Sequence, residues 1–475
     1  MSKVLEASGT NFDRILRSTR KVFVDFWAPW CKPCVKPDVT LLGDNKIISE
    51  CQPSDKTIGF TTLNQITEVM SRPYTGHLIR IRAKGMLPLE TTPEHPILTK
   101  SSHSKSGTLT SLGNLTWKEA RFLREKKMES DGDYLIVPRI KGVLDQSTVD
   151  YSSFVKPRDT AMVGAKGIPL TFPINRESAW LMGLYVAEGS GTVNGPQFDL
   201  SIAETEIESK LVGIIQNLGY TSRTVMKPEQ HRMRVILNSR ILGRVFHEWF
   251  GRGAPNKRVP DFILYLSDIS VVESFLDGYM AGDGSIGYSH APSYRSAEKT
   301  VVSAATVSRT LALQIQLLFA RLGILVSICE RRNNRTGFIQ GRSVQLRNIY
   351  VLSYSTHGTQ SLVFEDHIAT PVRSLEQVEY NGNVFNVETS DNTYLVSNAV
   401  VHNCLRMNPL IEKLAERHSA IVFAKVNVDQ DSEIASRYHI SSLPAYVMFK
   451  DAHPAASKIG AVSEIELEKL ISEMS

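Results

Sequence analysis

The stretch Phe23–Leu42, FVDFWAPWCKPCVKPDVTLL, constrains the fold more than any other part of the chain. A strand-like apolar run, Phe23–Trp27, leads into Trp30-Cys31-Lys32-Pro33-Cys34, two thiols two residues apart. A dithiol of this spacing works at the start of a helix, whose dipole lowers the pKa of the leading thiol. No helix follows Cys34; Pro37 and the β-rich Val39-Thr40-Leu41-Leu42 come instead. The missing helix stands far downstream in HNCLRMNPLIEKLAERH (His402–His418), where Leu405, Leu410, Ile411 and Leu414 recur at helical spacing. The next run, AIVFAKVNVDQDSEIASRYHISSLPAYVMFKDA, reads strand, helix, strand. Removing Cys34–Asn403, 370 residues, joins 105 residues that read DFWAPWCKPCLRMNPLIEKLAE across the junction. Neither fragment alone is large enough to bury its core.

A chain of 475 residues suggests about three domains. Its 42% hydrophobic and 22% charged residues are ordinary for a globular protein, and a net charge of +5 is a mild basic bias. No apolar stretch approaches the ~20 residues that span a bilayer. The opening MSKVLEASGTNFDRIL lacks the apolar core of a signal peptide. Five cysteines in so long a chain do not make a disulfide framework, so a reducing, cytoplasmic location without a membrane partner is expected. Cys51 and Cys329 match no motif and are expected to pack in cores.

The joined sequence resembles thioredoxin over its whole length. Trp30-Cys31-Lys32-Pro33-Cys404, Asp25 two residues before Trp27, Pro409 inside the helix and SSLPAYVMF carry the likeness. The resemblance implies a thioredoxin α/β fold split into residues 1–33 and 404–475. It implies a thiol–disulfide oxidoreductase that acts on protein disulfides and is recharged by a thioredoxin reductase. Cys31 would attack, Cys404 would resolve the mixed disulfide, Asp25 would assist proton transfer from a buried position, and Pro444 would be cis and face the dithiol. Lys32 departs from the family, which usually has glycine there.

The edges of the intervening segment have chemistry of their own. It begins with a nucleophile, Cys34, ends in His402-Asn403, and is followed by another nucleophile, Cys404. A thiol can attack the preceding carbonyl and convert an amide to a thioester; an asparagine can close on its own carbonyl and break the next peptide bond. The segment resembles an intein. CVKPDVTLL looks like the first splicing motif, LPLETTPEHPILT like the Thr-x-x-His motif, and GNVFNVETSDNTYLVSNAVVHNC like the closing motif. The resemblance implies an all-β Hint splicing domain, shared with hedgehog autoprocessing domains, in two parts, residues 34–150 and 367–403. Alternating runs such as HLIRIRAKG and NTYLVSNAVV fit strands. Cys34, Thr92, His95, His402, Asn403 and Cys404 would carry splicing, without a cofactor. Asn386 stands where the family often has aspartate, and Asn392 where it often has histidine. Pro33 restricts the peptide that Cys34 attacks, so a slow first step is expected.

Between Pro173 and Asp366 lies a weak repeat. SAWLMGLYVAEGSG aligns with VESFLDGYMAGDGSIG, so that Leu181, Gly183, Glu188 and Gly189 match Leu276, Gly278, Asp283 and Gly284. Each copy continues into a polar β-like stretch and a helix ending in Leu-Gly. This resembles the LAGLIDADG (DOD-type) homing endonucleases in their monomeric, two-motif form, an α+β domain over residues 173–366. Two helices would pack through Gly183 and Gly278, and Glu188 and Asp283 would meet at their ends. The resemblance implies that these carboxylates bind Mg²⁺ for phosphodiester cleavage. Lys257, in NKRVPDFI, is a candidate charge stabiliser. The partner implied is double-stranded DNA, the uninterrupted thioredoxin gene. Basic residues in RRNNRTGFIQGR suit phosphate contacts.

The reading that results is a self-splicing precursor with three kinds of domain. Its rivals are a stable oxidoreductase with a large insert, a cleavage-only autoprocessing protein, and a splicing intein whose endonuclease has decayed. Oxidation of Cys31 with Cys34 would remove the first nucleophile and is expected to make splicing depend on reduction.

Overall fold

The computed structural model describes residues 4–27, 34–105, 108–127, 130–156, 170–289, 299–333, 336–339, 342–355, 361–403, 407–428, 430–440, 445–459 and 464–472. Cys31, Pro33, Cys404 and Pro444 lie outside the described residues.

The two terminal segments build one five-stranded sheet, ordered Val4–Ala7, Val422–Asn427, Lys21–Trp27, Ala445–Lys450 and His453–Ile459. Val422–Asn427 lies between the two N-terminal strands and is parallel to both. Lys21–Trp27 runs antiparallel to Ala445–Lys450. Alternation along Lys21–Trp27 sends Val22, Val24 and Phe26 to one face, where they meet Phe12, Ile15 and Leu16 of the helix Phe12–Ser18. Phe23 points to the other face, toward Ile411 and Leu414 of the helix Met407–Arg417. The helix expected 370 residues downstream therefore covers the sheet that Phe23–Trp27 begins.

Within the insert, residues 34–138 and 361–403 form a second sheet. Its strands run in the order Thr393–Val396, Ala399–His402, Pro96–Lys105, Gly132–Pro138, His367–Thr389, Leu63–Ala83 and Lys56–Ile58, with further short strands paired alongside. The 21-residue strand Leu63–Ala83 pairs antiparallel with the 23-residue strand His367–Thr389 from Ala83↔Val372 to Ile66↔Thr389. The sequence midway between them is spent on the third region. Leu362–Val363, on the other side of the expected 366/367 boundary, also pairs with His367–Thr389.

The third region repeats one topology twice. The helix Arg176–Glu188 precedes the antiparallel sheet ordered Gly189–Thr192, Gly195–Ser201, Arg232–Leu237 and Ser222–Lys227. The helix Ile269–Asp283 precedes Ser285–Ser289, Lys299–Thr306, Ile349–Ser355 and Ser327–Arg331 in the same order. Asn175 and Ser178 form a capping box at the start of the first helix, and Asp268 caps the second. The two helices touch through their glycines. A Cβ on Gly183 would lie 1.9 Å from the Phe275 carbonyl oxygen, and one on Gly278 would lie 2.0 Å from that of Trp180. Only glycine permits this approach. Cys51 is buried, as expected, whereas Cys329 is exposed on the strand Ser327–Arg331, so the core position expected for it is corrected. Among the described residues, no helix is long and apolar enough to cross a membrane.

Candidate functional site

Cys34 opens the insert from a buried position, packed with Leu78 and Val384. Its neighbour Val35 is pinned by reciprocal bonds with Phe385, each N–H donating to the other's carbonyl oxygen at 2.8 Å. Thr92 closes a small ring on Cys34. Its Oγ1 accepts from the Cys34 N–H at 3.1 Å, and its own N–H donates to the Cys34 carbonyl oxygen at 2.9 Å. The backbone nitrogen of Cys34 is thus held by a threonine hydroxyl. His95 follows one turn later, its N–H donating to the Thr92 carbonyl oxygen at 3.1 Å. Its ring is fully buried beside the Cys34 backbone. Burial, reinforced by nearby His402, pushes its pKa down to about 3, while the Cys34 backbone opposes this weakly. The imidazole is therefore neutral at working pH, able to donate one N–H and accept at the other nitrogen.

The far end of the insert arrives at the same place. Val401 sits opposite Ile97 on the strand that starts just after His95. His402 Nδ1 lies 2.5 Å from the Asn403 carbonyl oxygen, so the tautomer protonated at Nδ1 donates to it. Its ring meets Trp117 edge-on at 4.9 Å, and burial lowers its pKa. Asn403 is buried. With its amide oriented by the surrounding hydrogen bonds, its nitrogen donates to the Asn392 carbonyl oxygen at 3.1 Å and to Asn392 Oδ1 at 3.2 Å. Its side-chain oxygen accepts from the Thr389 N–H at 2.8 Å. Asn392 holds its left-handed backbone (φ 62°) at no great cost, as asparagine can.

Tyr394 joins the two ends and was missed in the sequence. Its ring meets His95 edge-on at 6.2 Å, and its hydroxyl donates to Asn386 Oδ1 at 2.9 Å. Burial, and then the neighbouring Cys34, drive its pKa well above the usual value, so the phenol keeps its proton. Its only signal was a lone tyrosine in the alternating run NTYLVSNAVV, which reads equally well as a core residue.

In the two-repeat region, Glu188 and Asp283 stand half-buried at the ends of the paired helices. Burial and then the Asp283 charge raise the Glu188 pKa to about 7; burial raises that of Asp283 to about 6, with Lys257 opposing. Burial brings the Lys257 pKa down to about 8 against the pull of both carboxylates. Lys257 Nζ donates to the carbonyl oxygens of Tyr185 (3.0 Å), Val186 (2.6 Å) and Ala187 (3.2 Å). Its protons therefore close the C-terminus of the first helix while its charge stands beside the carboxylate pair. Two carboxylates held above their ordinary range, partly by repulsion, fit a divalent cation, which would relieve that repulsion. Among the described residues, no cluster of three or more His, Cys, Asp or Glu could hold a metal.

In the terminal sheet, Asp25 is buried, and burial raises its pKa to about 7 with Lys425 opposing. It faces the Met407–Arg417 side of the sheet, one strand position from Phe26 and opposite Lys425 and Tyr446. A carboxyl that titrates near neutrality is suited to take up or release a proton.

Residues 3–45 and 377–473 match the thioredoxin family, and residues 270–355 match the family described as LAGLIDADG-like domain. The chain is 29% identical over 424 residues to the ATP-dependent DNA helicase Hel308 of Thermococcus kodakarensis, covering 79% of this chain and 36% of that protein. It is 26% identical over 413 residues to an iron-sulfur cluster assembly SufBD family protein of Mycobacterium tuberculosis, covering 82% of this chain and 44% of that protein. The chain thus spans less than half the length of these two relatives. It is 37% identical over 68 residues to the thioredoxin of Mycoplasmoides gallisepticum, covering 14% of this chain and 68% of that protein. The chain belongs to the thioredoxin family, with its thioredoxin sequence at both ends and a LAGLIDADG-like domain between them.

Proposed function

We propose that the chain is a self-splicing precursor in which Cys34–Asn403 excises itself and joins residues 1–33 to 404–475 as a thioredoxin. The observation that carries this reading is the meeting of Cys34, Thr92 and His95 with His402 and Asn403 in one buried site, in a chain whose terminal sheet is assembled from both flanking segments. The comparisons support it as well. A helicase and an iron-sulfur assembly protein have unrelated names, yet each aligns over far more of this chain than its two terminal segments contain. A segment found within unrelated proteins behaves as a passenger.

Of the groups the steps use, Cys34, Thr92, His95, His402 and Asn403 lie among the described residues. Cys34 Sγ attacks the Pro33 carbonyl carbon; the bond to the Cys34 nitrogen breaks, and that nitrogen gains the proton the thiol gives up, relayed by neutral His95. The Thr92 hydroxyl orients the departing nitrogen. Cys404 Sγ then attacks the thioester carbon and displaces the Cys34 thiolate. Asn403 Nδ2, held by Asn392, attacks its own carbonyl carbon, whose oxygen His402 polarises, and the bond to the Cys404 nitrogen breaks. The freed Cys404 amine attacks its own thioester, giving the Pro33–Cys404 peptide bond. Two peptide bonds break; one peptide and one imide bond form; nothing is oxidised or reduced. Prepositioning accounts for the rate, since effective molarities reach ~10⁵–10⁸ M.

The product is a thiol–disulfide oxidoreductase whose reacting thiols are Cys31 and Cys404, with Asp25 as proton acceptor and Pro444 beside them. Disulfide proteins and a thioredoxin reductase would be its partners. The released insert is a site-specific endonuclease on double-stranded DNA. Glu188 and Asp283 would hold Mg²⁺, which when bound supplies Lewis-acid activation of water and phosphate. Lys257 keeps the first helix end, and with it Glu188, in place.

The test is intact mass after expression under reducing conditions. The parent chain is expected as two species of 105 and 370 residues. Cys34→Ala is expected to give no joined product, and Asn403→Ala to retain the insert on the C-terminal segment. A joined product from Cys34→Ala would overturn the reading.

A further inference from the structure

The helix Arg309–Arg321 belongs to the second endonuclease repeat but is buried all round from Leu311 to Arg321, against residues of both regions of the insert. Among its partners is the tight turn Ser397–Asn398, which connects Thr393–Val396 to Ala399–His402, the strand that presents His402 and Asn403. Both turn residues hold positive φ, 50° and 65°. A two-residue hairpin of this kind prefers glycine at its second position, and a serine at the first is strained. The turn is held from outside instead. Asn398 Nδ2 donates to the Leu313 carbonyl oxygen at 2.9 Å and to Gln316 Oε1 at 2.8 Å. Arg309 donates to Ser397 Oγ at 3.3 Å, and that hydroxyl donates to the Pro88 carbonyl oxygen at 3.1 Å. Gln316 is fully buried, and its Nε2 donates to the carbonyl oxygens of Gly85 (2.8 Å) and Val326 (2.6 Å), one in each region.

We propose that Gln316 and Asn398 are positioning residues for splicing: the endonuclease helix fixes the register of the hairpin that delivers His402 and Asn403. The inference rests on the splicing reading above. The turn sets the pairing Thr393↔His402, and a slip of one residue would carry His402 to the other face of the sheet. Thr393–Val396 is anchored separately, by Tyr394 on Asn386 and by Thr393 on Asp391. Ala399–His402 pairs along its length with Thr393–Val396 across this turn and meets its other neighbouring strand where Val401 faces Ile97. Loosening the turn therefore acts on the Asn403 step more than on the Cys34 step. The endonuclease domain thereby becomes part of the splicing apparatus, and loss of its helix would impair splicing even where DNA cleavage is dispensable.

The two steps can be read separately in the full-length chain. Release of residues 404–475 from Cys34→Ala reports Asn403 cyclisation: Nδ2 bonds to the Asn403 carbonyl carbon, the bond to Cys404 breaks, and the amide proton ends on the new amine. Hydroxylamine-induced release of residues 1–33 from Asn403→Ala reports thioester formation. Gln316→Met keeps size and removes the bonds. Asn398→Gly favours the turn and removes the bonds to the helix. Both are expected to slow the first release about tenfold and to leave the second within about twofold. Unchanged cyclisation in Asn398→Gly, or an equal loss in both releases, would overturn the inference. A chain without these substitutions that yields no joined 105-residue product would overturn the splicing reading itself, and this inference with it.

Discussion

The terminal sheet and the insert's long-stranded sheet are each sewn from two segments distant in sequence, but the seam lies in different places. In the terminal sheet it passes through the centre: Val422–Asn427 is flanked on both sides by N-terminal strands. In the insert it runs along one antiparallel pair, Leu63–Ala83 with His367–Thr389, and Cys34 packs on Leu78 and Val384 within that pair. A central seam survives cutting of the chain, because backbone bonds and core contacts cross it in several strands. A seam at one pair must instead deliver two chain ends to one point. On the splicing reading proposed above, the first arrangement suits a product that outlives the break, and the second a device that makes it.

The most severe way to break this contrast is to attack the insert's site and watch the terminal sheet. His95→Ala is expected to slow thioester formation about 100-fold or more, since a positioned proton-transfer group is worth that much. Thiol-induced release of residues 1–33, followed by mass, measures it, and the two terminal segments are expected to remain associated after cleavage.

Next in size is a break in the third region. Gly183→Val places a side chain where a Cβ already lies 1.9 Å from the Phe275 carbonyl oxygen. The helices must part, at a cost of about 3 kcal/mol, with loss of DNA cleavage. Differential scanning calorimetry is expected to show the endonuclease transition moving down while that of the terminal sheet stays.

The smallest effects sharpen the contrast through pH. Asp25 and His95 are both buried and both kept neutral, so they oppose each other in sign. Asp25 keeps its proton in the folded state up to about pH 7, while the unfolded chain releases it near 3.8. The stability of the terminal sheet therefore falls as pH rises through that window and then levels off. Asp25→Asn removes the slope and gains at most about 4 kcal/mol at pH 8. His95 resists protonation down to about pH 3, while the unfolded chain takes a proton near 6.5. The insert's sheet therefore loses stability as pH falls through that window, and His95→Gln flattens the loss. Urea midpoints of each variant against its parent, from pH 4 to 8, measure both slopes.

Much of this was legible in residues that carry chemistry at fixed spacing. Trp30 to Cys34 without a helix, and His402-Asn403-Cys404 before one, mark the edges expected for the insert, and the apolar run Phe23–Trp27 reads as the strand it forms. The repeat around Gly183 and Gly278 announced a close helix pair, and the carbonyl contacts explain why no larger residue fits. What stayed illegible depends on packing between distant segments. Lys257 reads as a free charge in NKRVP, but its protons are taken by three carbonyls of a helix 70 residues earlier. Cys329 matches no motif and reads as a packing residue, yet it is exposed. Gln314 and Gln316 sit in an amphipathic pattern as ordinary polar residues, and only the fold buries them between two regions.

The most direct test of the central account is the tryptic peptide across the junction, from protein expressed in a reducing cytoplasm. The account predicts Val22-Phe-Val-Asp-Phe-Trp-Ala-Pro-Trp-Cys-Lys-Pro33 joined to Cys404-Leu405-Arg406. A chain in which Pro33 remains bonded to Cys34, with Asn403 bonded to Cys404, would contradict it.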